Sequence, residues 1–165
     1  EPRKRYTFVF DCAEDLGRDV PLTIDPSGVH VRSDGDAYMA GCTPDIDPAV
    51  AYDDYEIDQD IFEDKVWPAL VNRIPAFERI KIQTQWAGHY AHNDFDHNVI
   101  VGPHGDVANF VLANGFSGHG VQQSPAIGRG VSELITYGEY RTLDLTSLGH
   151  ARIVDGEPFI ESAII

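Results

Sequence analysis

The chain has 165 residues, 42% of them hydrophobic and 24% charged, and its 27 acidic and 12 basic side chains give a formal net charge of −15. These values are typical of a globular protein with an apolar core, and they exclude a disordered or fibrous chain. No apolar run reaches the roughly 20 residues of a membrane-spanning helix, so we predict no membrane span. The negative charge would repel a phosphate backbone, which argues against a nucleic-acid partner.

The cysteines and the first residues concern the compartment and the extent of the protein. Cys12 and Cys42 are too few for the dense disulfide framework of a small secreted domain, which favours a reducing compartment. The chain starts at Glu1, and the residues after it show no signal-peptide pattern. We therefore expect a fragment of a longer protein.

The first third of the chain predicts an antiparallel meander of short strands. Turn-forming residues around Gly28 and Gly35 separate the β-rich segments, because Gly and Asp favour chain reversal. The predicted strands are Tyr6–Asp11, Val20–Ile24, Val29–Arg32 and Tyr38–Cys42.

An acidic segment, residues 45–64, carries nine carboxylates and neither Lys nor Arg. It leads into a helix predicted from Ile57 to Ile74 by the spacing of its apolar residues, which Pro75 should end and Pro68 should kink. The carboxylates fit a solvated loop and a first helical turn, where they complement the helix dipole. A docking surface or a cation site is the alternative.

A long strand is predicted over residues 79–90, where apolar and polar side chains alternate. A turn, a short strand and a buried strand should follow at residues 93–96, 99–101 and 108–113. Five possible metal ligands lie in this region: His89, His92, Asp94, Asp96 and His97. Because side chains alternate between the faces of a strand, His89 and His92 would point in opposite directions. We therefore predict a polar hairpin tip and no metal site.

Residues 109–135 combine a buried strand, a glycine-rich turn and an amphipathic helix. The glycines are Gly115, Gly118 and Gly120. Without a Cβ they let backbone N–H groups approach a ligand closely, and the helix N-terminus favours an electron-rich oxygen or a phosphate there. The segment contains neither a P-loop nor a dinucleotide-binding fingerprint. It comes close to the nucleophile elbow of hydrolases at Ser117, but His119 stands where the last glycine is required, so a hydrolase is a minor alternative.

The helix after this turn has two possible starting points. Ser124 fits an N-cap with Pro125 at the first helical position, and an irregular start nearer Val121 is the alternative. Gly128 and Gly130 should allow another element to pack closely against the helix.

Five segments together resemble one family of flavoproteins. They are EPRKRY at residues 1–6, DKVWPALVNRIPAF at 64–77, WAGHYAHNDFDHNVIVGPH at 86–104, GFSGHGVQQSPAIGRGVSELI at 115–135 and the ending from TLDL to ESAII. Over nearly its whole length, the chain resembles the C-terminal half of the D-amino-acid oxidase, glycine oxidase and sarcosine oxidase superfamily. The resemblance implies a two-domain flavoenzyme whose N-terminal FAD-binding part is absent from this chain.

The resemblance also implies the fold. It is α+β or α/β, with a mixed, largely antiparallel sheet and flanking helices. Residues 1–97 would form the C-terminal part of a substrate-binding domain. Residues 98–165 would return into a Rossmann-like FAD-binding domain, as its last strand and helix and a C-terminal tail.

The same resemblance implies which residues contact the cofactor and the substrate. The flavin would lie against the glycine turn and the helix start, at Gly115, Ser117, Gly118, His119, Gly120, Val121 and Gln122. The substrate would contact His89, Tyr90 and Gln122. The catalytic residues stay unknown, because they would lie in the absent part.

Three positions differ from amine-oxidising members of the family. Tyr90 stands where glycine oxidase has an Arg that grips the substrate carboxylate, and Gln122 stands where a sarcosine oxidase has a Lys. Gly88 replaces the Cys that is covalently tied to the flavin in the same sarcosine oxidase. The resemblance therefore implies non-covalent FAD, and it argues against a substrate carboxylate held by either anchor.

We therefore expect the C-terminal portion of an FAD-dependent oxidoreductase that oxidises a small amine, amino acid or related substrate by hydride transfer to flavin. These residues alone should be inactive and should bind FAD poorly, because the ADP-binding βαβ unit is absent. The alternative is a non-catalytic flavin-fold protein that serves as an assembly or docking factor for a respiratory complex, with the acidic segment as its surface. We expect the protein in the cytoplasm of a bacterium or in the mitochondrial matrix of a eukaryote.

Overall fold

The computed structural model describes residues 1–162, so the end of the ESAII segment, residues 163–165, lies outside the described residues. The chain divides into two compact units. We call Pro2–His89 the sheet unit, and Glu1 together with the described residues from Tyr90 onwards the turn unit. The predicted division between residues 97 and 98 concerns the domains of the complete protein and stays a prediction.

The sheet unit is built on five strands. They are β1 Pro2–Cys12, β2 Thr23–Ile24, β3 His30–Asp34, β4 Ala37–Cys42 and β5 Ile80–Ala91. Their order in the sheet is β2-β3-β4-β1-β5. β2, β3 and β4 form the predicted antiparallel meander, but β1 pairs antiparallel with β4 and not with β2. The second strand is shorter than predicted, because Pro21 has no N–H with which to extend the ladder.

The interior of the sheet unit is apolar and strongly aromatic. Alternate side chains of β1 are buried, namely Tyr6, Phe8 and Phe10. The Phe10 ring meets the edge of Phe77 at 5.3 Å between centroids, and Phe8 lies 4.8 Å from Phe62. These aromatic contacts explain why β1 lies inside the sheet, since the interior is the position at which its apolar face is best covered.

The helix of the sheet unit begins later and is less regular than predicted. A π-helical turn, Phe62–Val66, leads directly into α1, Trp67–Arg73, so Ile57 lies in the loop before them. Pro68 has no N–H for the helical ladder, and the irregularity expected there takes the form of this wider turn. The helix ends before Pro75, which confirms the predicted stop.

The turn unit contains a short hairpin and a long helix. Its elements are β6 Ile100–Pro103, β7 Val111–Asn114, α2 Gly120–Tyr137, a 3₁₀ turn at Thr146–Leu148 and α3 Ala151–Val154. β6 and β7 pair antiparallel. The buried strand predicted over residues 108–113 is wrong in its extent and its burial, since it starts at Val111 and Phe110 is 50% exposed. The reason is that β7 has one partner strand among the described residues, which leaves part of it uncovered.

The start of α2 follows the irregular alternative. His119 is the N-cap, so the prediction of an N-cap at Ser124 is wrong. Pro125 lies inside the helix and cannot donate to the Val121 carbonyl, but the Ser124 hydroxyl donates to that carbonyl at 2.9 Å. The helix ends at Gly138, whose φ of 77° is the left-handed capping conformation.

The two glycines inside α2 differ in their surroundings. A Cβ on Gly130 would lie 2.5 Å from Cδ1 of Leu145, which confirms the close packing predicted there. A Cβ on Gly128 would meet no packing neighbour within 4 Å among the described residues. Leu145 belongs to the apolar cluster of the turn unit, with Val99, Val101 and Ile127.

The predicted mixed fold, with a largely antiparallel sheet and flanking helices, is confirmed. In the part of the chain that the structure describes, none of the helices has the length and apolar character that a bilayer crossing requires. Cys12 and Cys42 both carry free thiols, and the reducing compartment stays a prediction.

Candidate functional site

The candidate site is the turn Gly115–Gly118, which connects β7 to α2. Three of its residues have a positive φ: Gly115 at 69°, Ser117 at 46° and Gly118 at 92°. A left-handed conformation is uncommon for a residue with a side chain, and Ser117 is also fully buried. Such a conformation persists only where the surroundings hold it in place.

Ser117 is held by the last residues of β5 and the residues that follow them. Its N–H donates to the Ala91 carbonyl at 3.0 Å, and its hydroxyl oxygen accepts the Asn93 N–H at 3.0 Å. Its carbonyl accepts the Tyr90 hydroxyl at 2.8 Å. The structure thus brings together two of the predicted site residues, Tyr90 and Ser117.

Gly118 lies closest to the Tyr90 ring. A Cβ at Gly118 would lie 2.8 Å from Cε2 of Tyr90, and its φ of 92° is one that other residues rarely adopt. The residue is nevertheless exposed on its outer side. A side chain would therefore be both strained and crowded against Tyr90, and the backbone of Gly118 is itself exposed.

The first residues of α2 present backbone N–H groups. The first bond of the helical ladder runs from the Gln123 N–H to the His119 carbonyl at 3.0 Å, so the amides of Gly120, Val121 and Gln122 precede it. Val121 is 86% exposed, and Gln122 is exposed as well. The His119 amide differs from these three, because it donates to a carbonyl within the turn. Three amides at the positive end of an 18-residue helix suit a negatively polarised group.

His89 lies in the sheet unit, and its ring has partners there. Its Nε2 donates to the Asp54 carbonyl at 2.8 Å, and the ring stacks on Tyr55 with 4.2 Å between centroids. These contacts orient the imidazole. The prediction that His89 contacts substrate stays a prediction.

The polar residues after β5 form local hydrogen bonds. His92 Nδ1 lies 2.9 Å from a carboxylate oxygen of Asp94, and the His97 N–H donates to the Asn93 carbonyl. Asp96, another of the possible metal ligands, is buried and paired with Arg152. Within residues 1–162 no group of three or more His, Cys, Asp or Glu side chains is arranged to hold a metal ion.

The ion pair of Asp96 and Arg152 is the feature that sequence reasoning missed. Arg152 Nε donates to Asp96 Oδ2 at 2.6 Å and Nη2 donates to Oδ1 at 3.1 Å, and both side chains are buried. Burial raises the pKa of Asp96, but the hydrogen bonds from Arg152 and from the N–H groups of Phe159 and Asn98 outweigh it and hold the pKa below its ordinary value. The two residues are 56 positions apart, so no local pattern links them.

The family model for FAD dependent oxidoreductases, DAO, matches residues 1–134. The chain belongs to this family. It is 46% identical over its whole length to the FAD-dependent oxidoreductase domain-containing protein 1 of Xenopus laevis and 42% identical to that of Bos taurus. In both cases it covers 34% of the relative, so the chain spans about a third of the length of these curated relatives.

The chain also superposes on solved structures. The L-proline dehydrogenase of P. horikoshii superposes with a TM-score of 0.84 and 26% identity, over 96% of this chain and 41% of that one. The iminodiacetate oxidase of Chelativorans sp. BNC1 has a TM-score of 0.71 at 16% identity, over 90% and 39%. The glycine oxidase of Geobacillus kaustophilus has a TM-score of 0.65 at 18% identity, over 90% and 38%. The last two are similar in fold only, and the predicted family is confirmed.

Proposed function

We propose that this chain is the C-terminal portion of an FAD-dependent oxidoreductase that oxidises a small amine, amino acid or related substrate. When bound, FAD accepts a hydride from such a substrate. The proposal rests on the exposed backbone at Gly118, followed by three amides at the start of α2. In a chain that belongs to an FAD-dependent family, this combination supports a flavin as the ligand of the turn.

The proposed role of the helix start is electrostatic. The amides of Gly120, Val121 and Gln122, together with the dipole of α2, would stabilise negative charge on the pyrimidine edge of the flavin. Ser117 would keep the turn in shape, and Gly118 would let the turn lie directly against the Tyr90 ring. Binding would be non-covalent, because the position of the covalent Cys in a sarcosine oxidase is held here by Gly88, which has no side chain.

The proposed substrate contacts are neutral hydrogen bonds. Tyr90 would contact the substrate through a neutral hydroxyl, which can both donate and accept a hydrogen bond and which donates to the Ser117 carbonyl at 2.8 Å. Gln122 is exposed at the helix start and offers an amide in place of a cation. Three structures of similar fold carry names that refer to proline, iminodiacetate and glycine, and these compounds are the first substrates to test.

The docking role remains the second candidate. Within the acidic segment, Ile46 is 84% exposed and Tyr52 is 82% exposed, which would suit a protein partner such as a respiratory complex. Part of its charge is neutralised inside the sheet unit, since Arg5 pairs with Asp47 and Lys4 with Asp54. Turnover of any small amine by the complete protein would contradict a purely docking role.

The test is the visible spectrum of the complete protein, recorded before and after anaerobic addition of proline, iminodiacetate and glycine. We expect a flavin band that at least one of these compounds bleaches. A complete, folded protein without a flavin band would overturn the proposal. A flavin that none of a wider panel of small amines bleaches would favour the docking role.

Two matched glycine variants test whether the flavin binds at the turn. Gly118→Ala places a methyl group against Tyr90, whereas Gly28→Ala, at a similar φ of 83°, has nothing within 4 Å. We expect Gly118→Ala to weaken FAD binding by about tenfold or more, which corresponds to roughly 1.4 kcal/mol, and Gly28→Ala to bind FAD like the unaltered protein. Equal FAD binding by both variants would contradict the proposal that the flavin binds at this turn.

A further inference from the structure

The segment that holds Ser117 is itself held by a buried polar network. Asn93 donates from its backbone N–H to the Ser117 hydroxyl oxygen at 3.0 Å. The side-chain amide of Asn93 donates to Asp96 Oδ1 at 2.8 Å and to the Asn98 carbonyl at 2.7 Å. Asn93 therefore links the turn to Asp96, because its backbone N–H bonds to Ser117 and its side-chain amide bonds to Asp96.

Asp96 accepts hydrogen bonds from several residues in the C-terminal part of the turn unit. Its carboxylate accepts Arg152 at both oxygens and the Phe159 N–H at 3.1 Å, and its carbonyl accepts the Glu161 N–H at 2.9 Å. Arg152 also donates to four backbone carbonyls, those of Leu148, Gly149, Asn98 and Val99. The guanidinium is thus surrounded by acceptors that fix its plane.

A buried ion pair of this kind is a weak source of stability, because the loss of hydration offsets most of the attraction. What it does provide is a single geometry, since a planar fork with so many acceptors fits in only one orientation. The network leads from Arg152 through Asp96 and Asn93 to Ser117, the buried left-handed residue of the turn. The network is therefore suited to fixing the orientation of the turn that contains Ser117.

We infer that Asp96 and Arg152 are positioning residues, which act through Asn93 to place the turn Gly115–Gly118 and the α2 amides that would face the flavin. This inference rests on the proposed function for the identity of the ligand, and on the hydrogen bonds above for the coupling. Displacement of the amides would make the negative charge of reduced flavin less favourable, so the midpoint potential of the bound flavin would become more negative.

The test compares three variants of the complete protein. Arg152→Lys keeps the charge but cannot bond to Asp96 and the carbonyls at once. Ser117→Ala removes the acceptor of the Asn93 N–H. The control is Arg129→Lys, on α2 in the same unit, whose ion pair with Glu133 leaves the Arg129 side chain 65% exposed. Each variant is measured by hydrogen exchange of peptides that cover residues 115–122 and by the midpoint potential of its flavin.

We expect Arg152→Lys and Ser117→Ala to accelerate exchange in residues 115–122 by up to about tenfold, the equivalent of one lost hydrogen bond, and to shift the potential downward. Arg129→Lys should change neither. A purely structural role would lower the melting temperature and leave the potential of bound flavin unchanged. If Arg152→Lys does not fold, Ser117→Ala decides alone.

The two proposals fail in different ways. Exchange and potential that match the control in both variants would overturn the positioning role, whether or not the enzyme turns over. A complete protein without flavin would overturn the proposed function, and the exchange measurement would still decide whether the network holds the turn.

Discussion

The two units of the chain have different interiors. The sheet unit is filled by a cluster of twelve buried apolar side chains, among them Phe8, Phe10 and Phe77. The turn unit has an apolar cluster of four, and it contains all the buried polar or charged side chains found in residues 1–162: Asn93, Asp96, Asn98, Ser117, Glu133 and Arg152. Apolar contacts are non-directional, whereas hydrogen bonds define positions to within tenths of an ångström. The comparison indicates that the interior of the turn unit fixes the positions of particular groups, whereas the interior of the sheet unit mainly stabilises the fold.

Phe77→Ala should give the largest loss in the sheet unit. Phe77 is fully buried, and its ring contacts Phe10 and Tyr38. We expect the free energy of unfolding of the complete protein to fall by about 3–5 kcal/mol, measured by denaturant titration. Tyr52→Ala is the control, since Tyr52 is 82% exposed. Equal losses at Phe77 and Tyr52 would contradict an apolar origin of the stability of this unit.

Asp96→Ala should give a comparable loss in the turn unit for a different reason. It leaves the Arg152 charge buried without its carboxylate, which lowers the free energy of unfolding by about 3–5 kcal/mol. Asp94→Ala, two residues away, removes a carboxylate whose side chain is 42% exposed and should cost about 0–1 kcal/mol. The same denaturant titration measures both. If the two variants were equally stable, the polar interior would not distinguish the two units.

The glycines of α2 test packing with a smaller effect. Gly130→Ala drives a methyl group into Leu145 and should destabilise the complete protein by about 1–3 kcal/mol. Gly128→Ala meets no neighbour among the described residues and should stabilise the helix by about 0.5–1 kcal/mol. Thermal unfolding gives the sign of each change. A loss at Gly128 as large as that at Gly130 would mean that another part of the complete protein covers this face of α2.

Glu133 should make a small, pH-dependent contribution. Hydrogen bonds from the Thr142 hydroxyl and the Arg141 N–H, aided by Arg129, lower the pKa of Glu133 from 4.5 to about 2. Because the folded-state pKa is the lower one, the carboxylate stabilises the fold above about pH 4.5, and this stabilisation is lost as the pH falls towards 2. Glu133→Gln should therefore reduce the melting temperature near neutral pH and converge with the unaltered protein in acid. Glu139→Gln, at an exposed carboxylate, should follow the unaltered protein throughout.

Prediction from the sequence was most successful where local patterns decide the structure. The strand predicted over residues 79–90 is β5, Ile80–Ala91, because period-two alternation depends only on adjacent residues. The start of α2 was harder to predict, since Ser124 and Pro125 imitate a cap and a first turn. In the structure the Ser124 hydroxyl instead donates to the Val121 carbonyl, in place of the N–H that Pro125 lacks.

The candidate site shows the same division. The glycines and helix start of residues 115–122 could be identified from the sequence, because conformational freedom at glycine and the dipole of a helix are local properties. The support of that turn could not be identified. Asp96 resembles an ordinary turn residue in the sequence, and Arg152 resembles a surface cation, until the fold buries both.

The sequence by itself therefore determined most of the strands, the presence of the long helix, the glycine turn and the family. The tertiary structure alone decided that the Tyr90 hydroxyl donates to Ser117, 27 residues away, and that Asp96 pairs with Arg152, 56 residues away. The physical reason is that periodicity and backbone preference act over a few residues. A buried hydrogen bond instead requires two groups that only the folded chain brings together and shields from water.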